Sequence, residues 1–209
     1  MGGRRVGGVL YELVSQSVEL PGGELRVLQP EEAVELPDDG AVEWAPLAPY
    51  WAVLWRSGVA LARELDGEPL RGLSVVELGC GLGVPSLAAA RAGASVLATD
   101  SAPEALELVA RSARANALRV ETALVDWAEP GDLVRRAPFD IVVAADVLYE
   151  RASVARLLSL LPRLAPVAWL ADPGRPAAEA FLEQASRRWQ VETRTRGVVR
   201  LHRLRFAES

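Results

Sequence analysis

The chain contains no lysine: all 23 of its basic residues are arginine. Among 209 residues there is one cysteine, Cys80, and one histidine, His202. A single cysteine excludes an intrachain disulfide framework and any multi-cysteine metal centre. A single histidine excludes a histidine metal cluster and argues against a Ser-His-Asp triad, so no metal is expected. His202 itself reads as a packed or surface side chain on the last strand. No apolar run approaches the ~20 residues that a membrane span requires. The opening "MGGRRVGGVLYEL" has no extended apolar stretch and no cleavage-like site. It does not read as a signal peptide, and the cytoplasm is the expected location. Net charge is −5, with the arginines spread along the chain. That balance argues against bulk attraction to nucleic acid, though a local patch stays open.

Half of the residues are hydrophobic, enough for a sizeable core, and the length suits one domain. Residues 6–29 hold two β-rich runs joined by Pro21-Gly22-Gly23, which reads as a hairpin. "ELPDDG" reads as a turn. From Trp51 the spacing becomes helical, with Trp51, Leu54, Trp55, Gly58, Leu61, Ala62 and Leu65 on one face. Strands and helices then alternate. "LSVVEL", "SVLATD", "VETALVDW", "FDIVVAAD" and "PVAWLAD" read as strands, with helices between them and a further helix from Pro176. Two strand-like runs, "QVETRTR" and "VVRLHRLRF", close the chain and suggest an antiparallel final pair. Strict alternation implies crossovers, hence a parallel sheet covered on both faces. The expected architecture is α/β and doubly wound, with a mostly parallel seven-stranded sheet and an added N-terminal β-hairpin and helix. Residues 1–45 form the β-rich extension and residues 46–209 the core of a single domain.

The first core strand runs into "VVELGCGLGVPS", residues 75–86, with glycine at 79, 81 and 83. Such a loop lets a nucleotide-like ligand lie against bare backbone, at the carboxyl end of a strand where such sheets bind ligands. A dinucleotide fingerprint reads G-x-G-x-x-G. Here the sixth position is Val84 and the third glycine comes one residue early. Asp100 ends the second strand, 17 residues after Gly83, where a carboxylate accepts ribose hydroxyls. A ligand-free strand-to-helix turn is the plain alternative.

Acid-x-Gly-x-Gly-x-Gly, with the acid at Glu77, resembles motif I of the class I, seven-strand S-adenosylmethionine methyltransferases. Residues 48–65 ("APYWAVLWRSGVALAREL") and 144–150 ("AADVLYE") are similar to the family 16 protein lysine methyltransferases. That family has a Trp-x-Ser-Gly segment before motif I, here Trp55 to Gly58, and an Asp-x-x-Tyr motif after the fourth strand, here Asp146 to Tyr149. "VDW" matches its Asp-Trp pair after the third strand. Arg56 departs from the proline that relatives often carry there. "PYWAVLW" and the late "ADPGRP" most resemble the branch of the family that acts on an electron-transfer flavoprotein.

The resemblance implies a Rossmann-like methyltransferase sheet and S-adenosylmethionine as cofactor, leaving S-adenosylhomocysteine as product. The backbone of Gly79, Cys80 and Gly81 would approach the methionine part, with Glu77 and Gly83 completing the motif. Asp100 would hold the ribose, Asp126 would take the adenine amino group, and Trp127 would pack beside the ring. Trp55 would cover the cofactor, and Ala145 would contribute backbone. Asp146 would position an incoming ammonium, and Tyr149 would hydrogen-bond or stack on the amine. Each role has a plainer alternative: core packing for the tryptophans, a turn or cap for Asp126, a helix cap for Asp146. Arg175, in "DPGR" at the same sheet edge, would meet an acidic substrate or stay solvated.

The implied partner is a protein presenting a lysine, a flavoprotein or a translation or ribosomal protein. The alternatives are a small-molecule N-methyltransferase, a catalytically silent cofactor-binding module and, on the cofactor, a NAD dehydrogenase. A nucleic-acid amino-methyltransferase is disfavoured, since those carry Asn/Asp-Pro-Pro-Tyr where this chain has Asp-Val-Leu-Tyr. Without lysine, the chain offers no lysine side chain of its own to such an enzyme.

Overall fold

The computed structural model describes residues 4–6, 9–33 and 50–207. The turn expected at 35–40 lies outside them. Two short strands, β1 (Arg4–Val6) and β2 (Val9–Tyr11), pair with each other. Then β3 (Leu13–Leu20) and β4 (Gly23–Pro30) form the expected antiparallel hairpin around Pro21-Gly22. The hairpin turns Val18, Leu20, Leu25 and Val27 into the core. Burying each such side chain contributes roughly 1.5–3 kcal/mol. The far edge of β4 is satisfied by a helix: the Arg26 amide donates to Asn116 Oδ1 (2.9 Å) and the Leu28 amide to Ser112 Oγ (3.0 Å).

Helix α1 covers Arg56–Asp66. It starts later than the spacing from Trp51 suggests. Tyr50–Ala52 form a 3-10 turn, and Trp55 is extended, with φ −66° and ψ 136°. The reason lies in the carbonyls. The Ala52 carbonyl, which a continuous helix would offer to the amide of residue 56, accepts instead from the buried Gln29 side chain (3.0 Å). The Tyr50 carbonyl accepts from the Trp55 indole (3.1 Å).

The main sheet contains β5 (Ser74–Leu78), β6 (Ser95–Asp100), β7 (Glu121–Leu124), β8 (Ile141–Ala145), β9 (Val167–Asp172), β10 (Trp189–Arg196) and β11 (Val199–Phe206). Their order is β10-β11-β9-β8-β5-β6-β7. Strands β5 to β9 are parallel, and β11 pairs antiparallel with both β9 and β10, as the final pair suggested. From β5 the chain winds outward to β7, then returns to place β8 on the other side of β5. The switch in strand order therefore falls between β5 and β8, where the crevice opens.

The connecting helices are α2 (Val84–Arg91), α3 (Pro103–Ala115), α4 (Gly131–Arg135), α5 (Arg151–Leu164) and α6 (Pro176–Ala185). The five-residue α4 has no counterpart in the sequence reading. Alternate residues of the central strands feed cores on the two faces of the sheet. Val75, Val143 and Trp169 pack under α1 and α2, while Val76, Val142 and Leu170 pack under α5 and α6. Among the described residues, no helix is long and apolar enough to cross a membrane.

Candidate active site

The carboxyl ends of β5, β6 and β8 open into a cavity of about 370 Å³. That lies within the range of small-molecule sites, ~300–1,000 Å³. All twelve residues anticipated as site residues line it, from Trp55 and Glu77 to Asp146 and Tyr149.

The glycine loop forms its floor. Gly81 has φ +50°, and a Cβ there would stand 2.9 Å from the Trp51 carbonyl oxygen. Gly83, at φ +69°, is the residue preceding α2, and a Cβ there would stand 2.5 Å from Val109 Cγ2 on α3. These two glycines are thus required by the protein's own packing. A Cβ at Gly79 would meet Val147 and Trp127, which line the same cavity, at 3.1 and 3.3 Å. Residues 50–55 lie across the loop as a roof, with Trp51 seated edge-on against Tyr11 (ring centroids 6.2 Å apart).

Glu77 is buried behind the loop. Its carboxylate accepts from the Ser86 amide (2.9 Å) and the Ser86 hydroxyl, tying β5 to the first turn of α2. Burial pushes its pKa up to about 8, against the pull of those bonds and with help from the Asp100 charge. Asp100 closes the loop from the neighbouring strand: Oδ2 accepts from the Gly81 amide and Oδ1 from the Ala102 amide, both at 2.9 Å. The Ser101 amide donates to it as well, and since a carboxylate has about four lone-pair sites, capacity remains for a ribose hydroxyl. The Cys80 amide donates to the Thr99 carbonyl (2.9 Å), so this amide and that of Gly81 already have protein acceptors. The Cys80 thiol is buried, and burial with the nearby acids pushes its pKa well up. It is not built as a nucleophile.

Asp126 sits exposed at the rim, where Oδ1 caps its own turn through the Ala128 amide (2.8 Å). Its turn role and its place on the cavity coexist. Trp127 is half-buried beside Gly79. Ala145 ends β8 and lines the cavity.

Asp146 follows at φ +57°, a left-handed conformation that Asp and Asn adopt more readily than most residues. It does not cap α5; Glu150 flanks that helix. Asp146 is buried and engaged by the Ser57 hydroxyl and by Arg175, whose Nη2 lies 3.1 Å from Oδ1. Burial raises its pKa, Ser57 and Arg175 oppose the rise, and Asp172 adds to it. Tyr149 is 44% exposed at the mouth.

Sequence reasoning missed two of these relationships. Ser57 stood inside the quoted Trp-Arg-Ser-Gly segment, but nothing in its spacing identified Asp146 as its partner. Arg175 was anticipated at this sheet edge, though not as the ion partner of Asp146. The turn that carries it is fixed by Asp172, whose Oδ1 accepts from the Gly174 amide (2.5 Å) and Oδ2 contacts His202 Nε2 (2.8 Å). His202 is therefore a packed residue, held also by Thr193 (2.8 Å).

The electrostatics select among ligands. Carboxyls of Glu77 and Asp100 surround the glycine loop, and the cavity's cations, Arg156 and Arg175, line it alongside the segment that follows β8 and β9. A pyrophosphate on that loop would face the Asp100 carboxylate. A cationic sulfonium with a ribose diol meets complementary charge.

A family model described as lysine methyltransferase matches residues 50–168. The electron transfer flavoprotein beta subunit lysine methyltransferase of Rattus norvegicus is 32% identical over 178 residues, covering 79% of this chain and 66% of its own. The chain thus spans just under two thirds of that relative's length. The histone-arginine methyltransferase METTL23 of Mus musculus is 30% identical over 146 residues, covering 67% and 54%. Among solved structures, a 16S rRNA methyltransferase of T. thermophilus in complex with AdoMet and guanosine superposes with a TM-score of 0.66. It is 20% identical, over 98% of this chain and 57% of its own. At that identity it speaks for the fold alone.

Proposed function

The chain belongs to the lysine methyltransferase family, and from that premise we propose that it transfers a methyl group from S-adenosylmethionine to a lysine side chain of a protein. The observation that carries the reading is the meeting, in one cavity, of the glycine loop, Asp100 and Asp146. The first two suit a cationic nucleoside, and the third suits a cationic acceptor.

The residues fit the cofactor on two counts. The bare face of Gly79 between Val147 and Trp127 leaves a slot that a Cβ would fill. Asp100 presents a buried carboxylate that, after three backbone bonds, keeps acceptor capacity for a ribose hydroxyl. Bound there, S-adenosylmethionine supplies an electrophilic methyl. The chain's own work is alignment. Trp55, Trp127 and the roof hold the nucleoside, while Asp146 at the end of β8 draws the lysine nitrogen toward the methyl. Alignment of this kind lowers barriers by ~7–11 kcal/mol in well-oriented systems. A lysine arrives protonated, since the free side chain titrates only at about pH 10.4. Asp146 pairs with that cation, the surrounding burial favours the neutral amine before transfer, and the released proton passes to solvent through the open mouth beside Tyr149. Tyr149 stands at the mouth to contact the alkyl-ammonium stem.

A protein substrate is favoured by the two relatives above, whose names give a flavoprotein subunit and a histone as targets. The test uses radiolabelled S-adenosylmethionine, an extract of the host cell, and Asp146→Asn in parallel. Label recovered as methyl-lysine in one protein, and lost in the variant, supports the reading. Because the chain has no lysine, the enzyme contributes no such signal itself. Label confined to small molecules or to nucleic acid overturns it.

A further inference from the structure

The Asp146 carboxylate that the acceptor cation needs is already engaged by Arg175. We infer that Arg175 is the residue that selects the acceptor. Its guanidinium stands where the acceptor's ammonium must go, and only a cation that replaces it charge for charge reaches the methyl-transfer end of the cavity. The inference rests on the methyltransferase reading above.

Four observations support an exchangeable contact. The pair has a single contact, Nη2 to Oδ1 at 3.1 Å, where an arginine and a carboxylate are able to form a two-pronged fork. Arg175 Nε is buried without a hydrogen-bond partner, so the guanidinium is incompletely satisfied where it lies. The side chain is still 20% exposed and lies 5.9 Å from the Trp55 ring, a second contact it can keep on leaving Asp146. The backbone beneath it is anchored: the Gly174 and Arg175 amides both donate to Asp172 Oδ1, at 2.5 and 3.2 Å. The side chain therefore moves without the turn.

The exchange is asymmetric between acceptors. An ammonium that displaces Arg175 leaves Asp146 paired throughout. A neutral acceptor that displaces it leaves a buried carboxylate without a counter-charge, a far less favourable state. Arg175 thereby turns the cavity away from neutral nucleophiles and toward amines that arrive charged.

The experiment measures binding of n-butylammonium chloride, a probe for the lysine side chain, by calorimetry, with and without S-adenosylhomocysteine. The proteins are the wild type, Arg175→Gln, Arg175→Lys, Asp146→Asn and the Arg175→Gln/Asp146→Asn double variant. Thermal unfolding establishes that each is folded. Arg175→Gln is expected to bind the probe about tenfold more tightly than wild type. Arg175→Lys restores the weaker binding, and both Asp146 variants abolish it. Neutral n-butanol, which brings no charge to Asp146, is expected to bind the double variant more tightly than wild type, because there no ion pair has to be broken. Equal affinity in wild type and Arg175→Gln, or a gain that persists without Asp146, overturns the inference, and so does absence of probe binding in Arg175→Gln. Failure of the methyltransferase reading looks different: no S-adenosylhomocysteine binding and no methyl transfer, whatever the probe does.

Discussion

The Ser57 hydroxyl donates to the Asp146 carboxylate, so one hydrogen bond joins the second residue of α1 to the residue that follows β8. Ser57 is buried and has no evident packing reason to be polar. Ser57→Ala removes a donor from a buried acid. The expected loss is about 1–3 kcal/mol of stability at pH 8, measured by urea unfolding. Methyl transfer falls with it, because Asp146 is held less firmly.

Asp146→Asn keeps the side-chain shape and tolerates φ +57°, but it removes the charge and leaves Arg175 unpaired. We expect the transfer rate to fall by on the order of 10²-fold, as for other misalignments, with cofactor affinity falling far less. Asp146→Ala adds left-handed strain of roughly 1–2 kcal/mol, so it should unfold at a lower temperature than Asp146→Asn. A scan of the two variants side by side separates charge from backbone.

Gly83→Ala combines a left-handed backbone with a clash against Val109. The double variant Gly83→Ala/Val109→Ala removes the clash but not the strain. Its stability should exceed the sum of the two single effects, a coupling that a double-mutant cycle reads directly. Strict additivity would show that the contact with α3 does not determine the glycine.

Glu77 supplies a pH dependence whose sign is fixed. Burial raises its folded pKa from 4.5 to about 8. The folded protein then holds a proton that the unfolded chain releases between those values. Stability from this group is complete below pH 4.5 and is lost as pH rises through about 8. The stability difference between wild type and Glu77→Gln should therefore shift in favour of the variant from pH 5 to pH 9, in paired denaturant titrations. A difference that stays level across that window would place the pKa elsewhere.

Gln29→Leu tests the roof. Its side chain is the donor to the Ala52 carbonyl, and without it residues 50–55 lose their anchor on the hairpin. Weaker S-adenosylhomocysteine binding is expected, with the strand content seen by circular dichroism unchanged.

Much of this arrangement was legible in the sequence because it depends on local signals. Near-continuous apolar strands, three glycines at alternate positions and an acid ending the second strand placed β5, the loop and Asp100 correctly. The motifs around Trp55, Asp126 and Asp146 converge on one cavity because each follows or precedes an element of the sheet. The start of α1 was not legible. Trp51 and Leu54 fit the helical period, but the bond that ends the helix comes from Gln29, 23 residues upstream. The docking of the hairpin was hidden for the same reason, since Ser112 and Asn116 reach β4 across 84 and 90 residues. The five residues of α4 are too few for a periodicity to register. The Arg175–Asp146 pair joins two strand ends that only strand order makes neighbours.

Two of the hydrophobic bodies lie on opposite faces of the sheet, and the roof and Trp127 are rooted in different ones: Trp51 and Leu54 in the body that includes α1 and the hairpin, Trp127 in the one that includes α5 and α6. A nucleoside between them, as proposed above, would work as a seam. Unfolding must first release it, so each factor of ten in its occupancy ratio would add about 1.4 kcal/mol to the stability of the fold. The ligand proposed to serve the chemistry would in this way also be a structural member, and the melting temperature should rise as it binds.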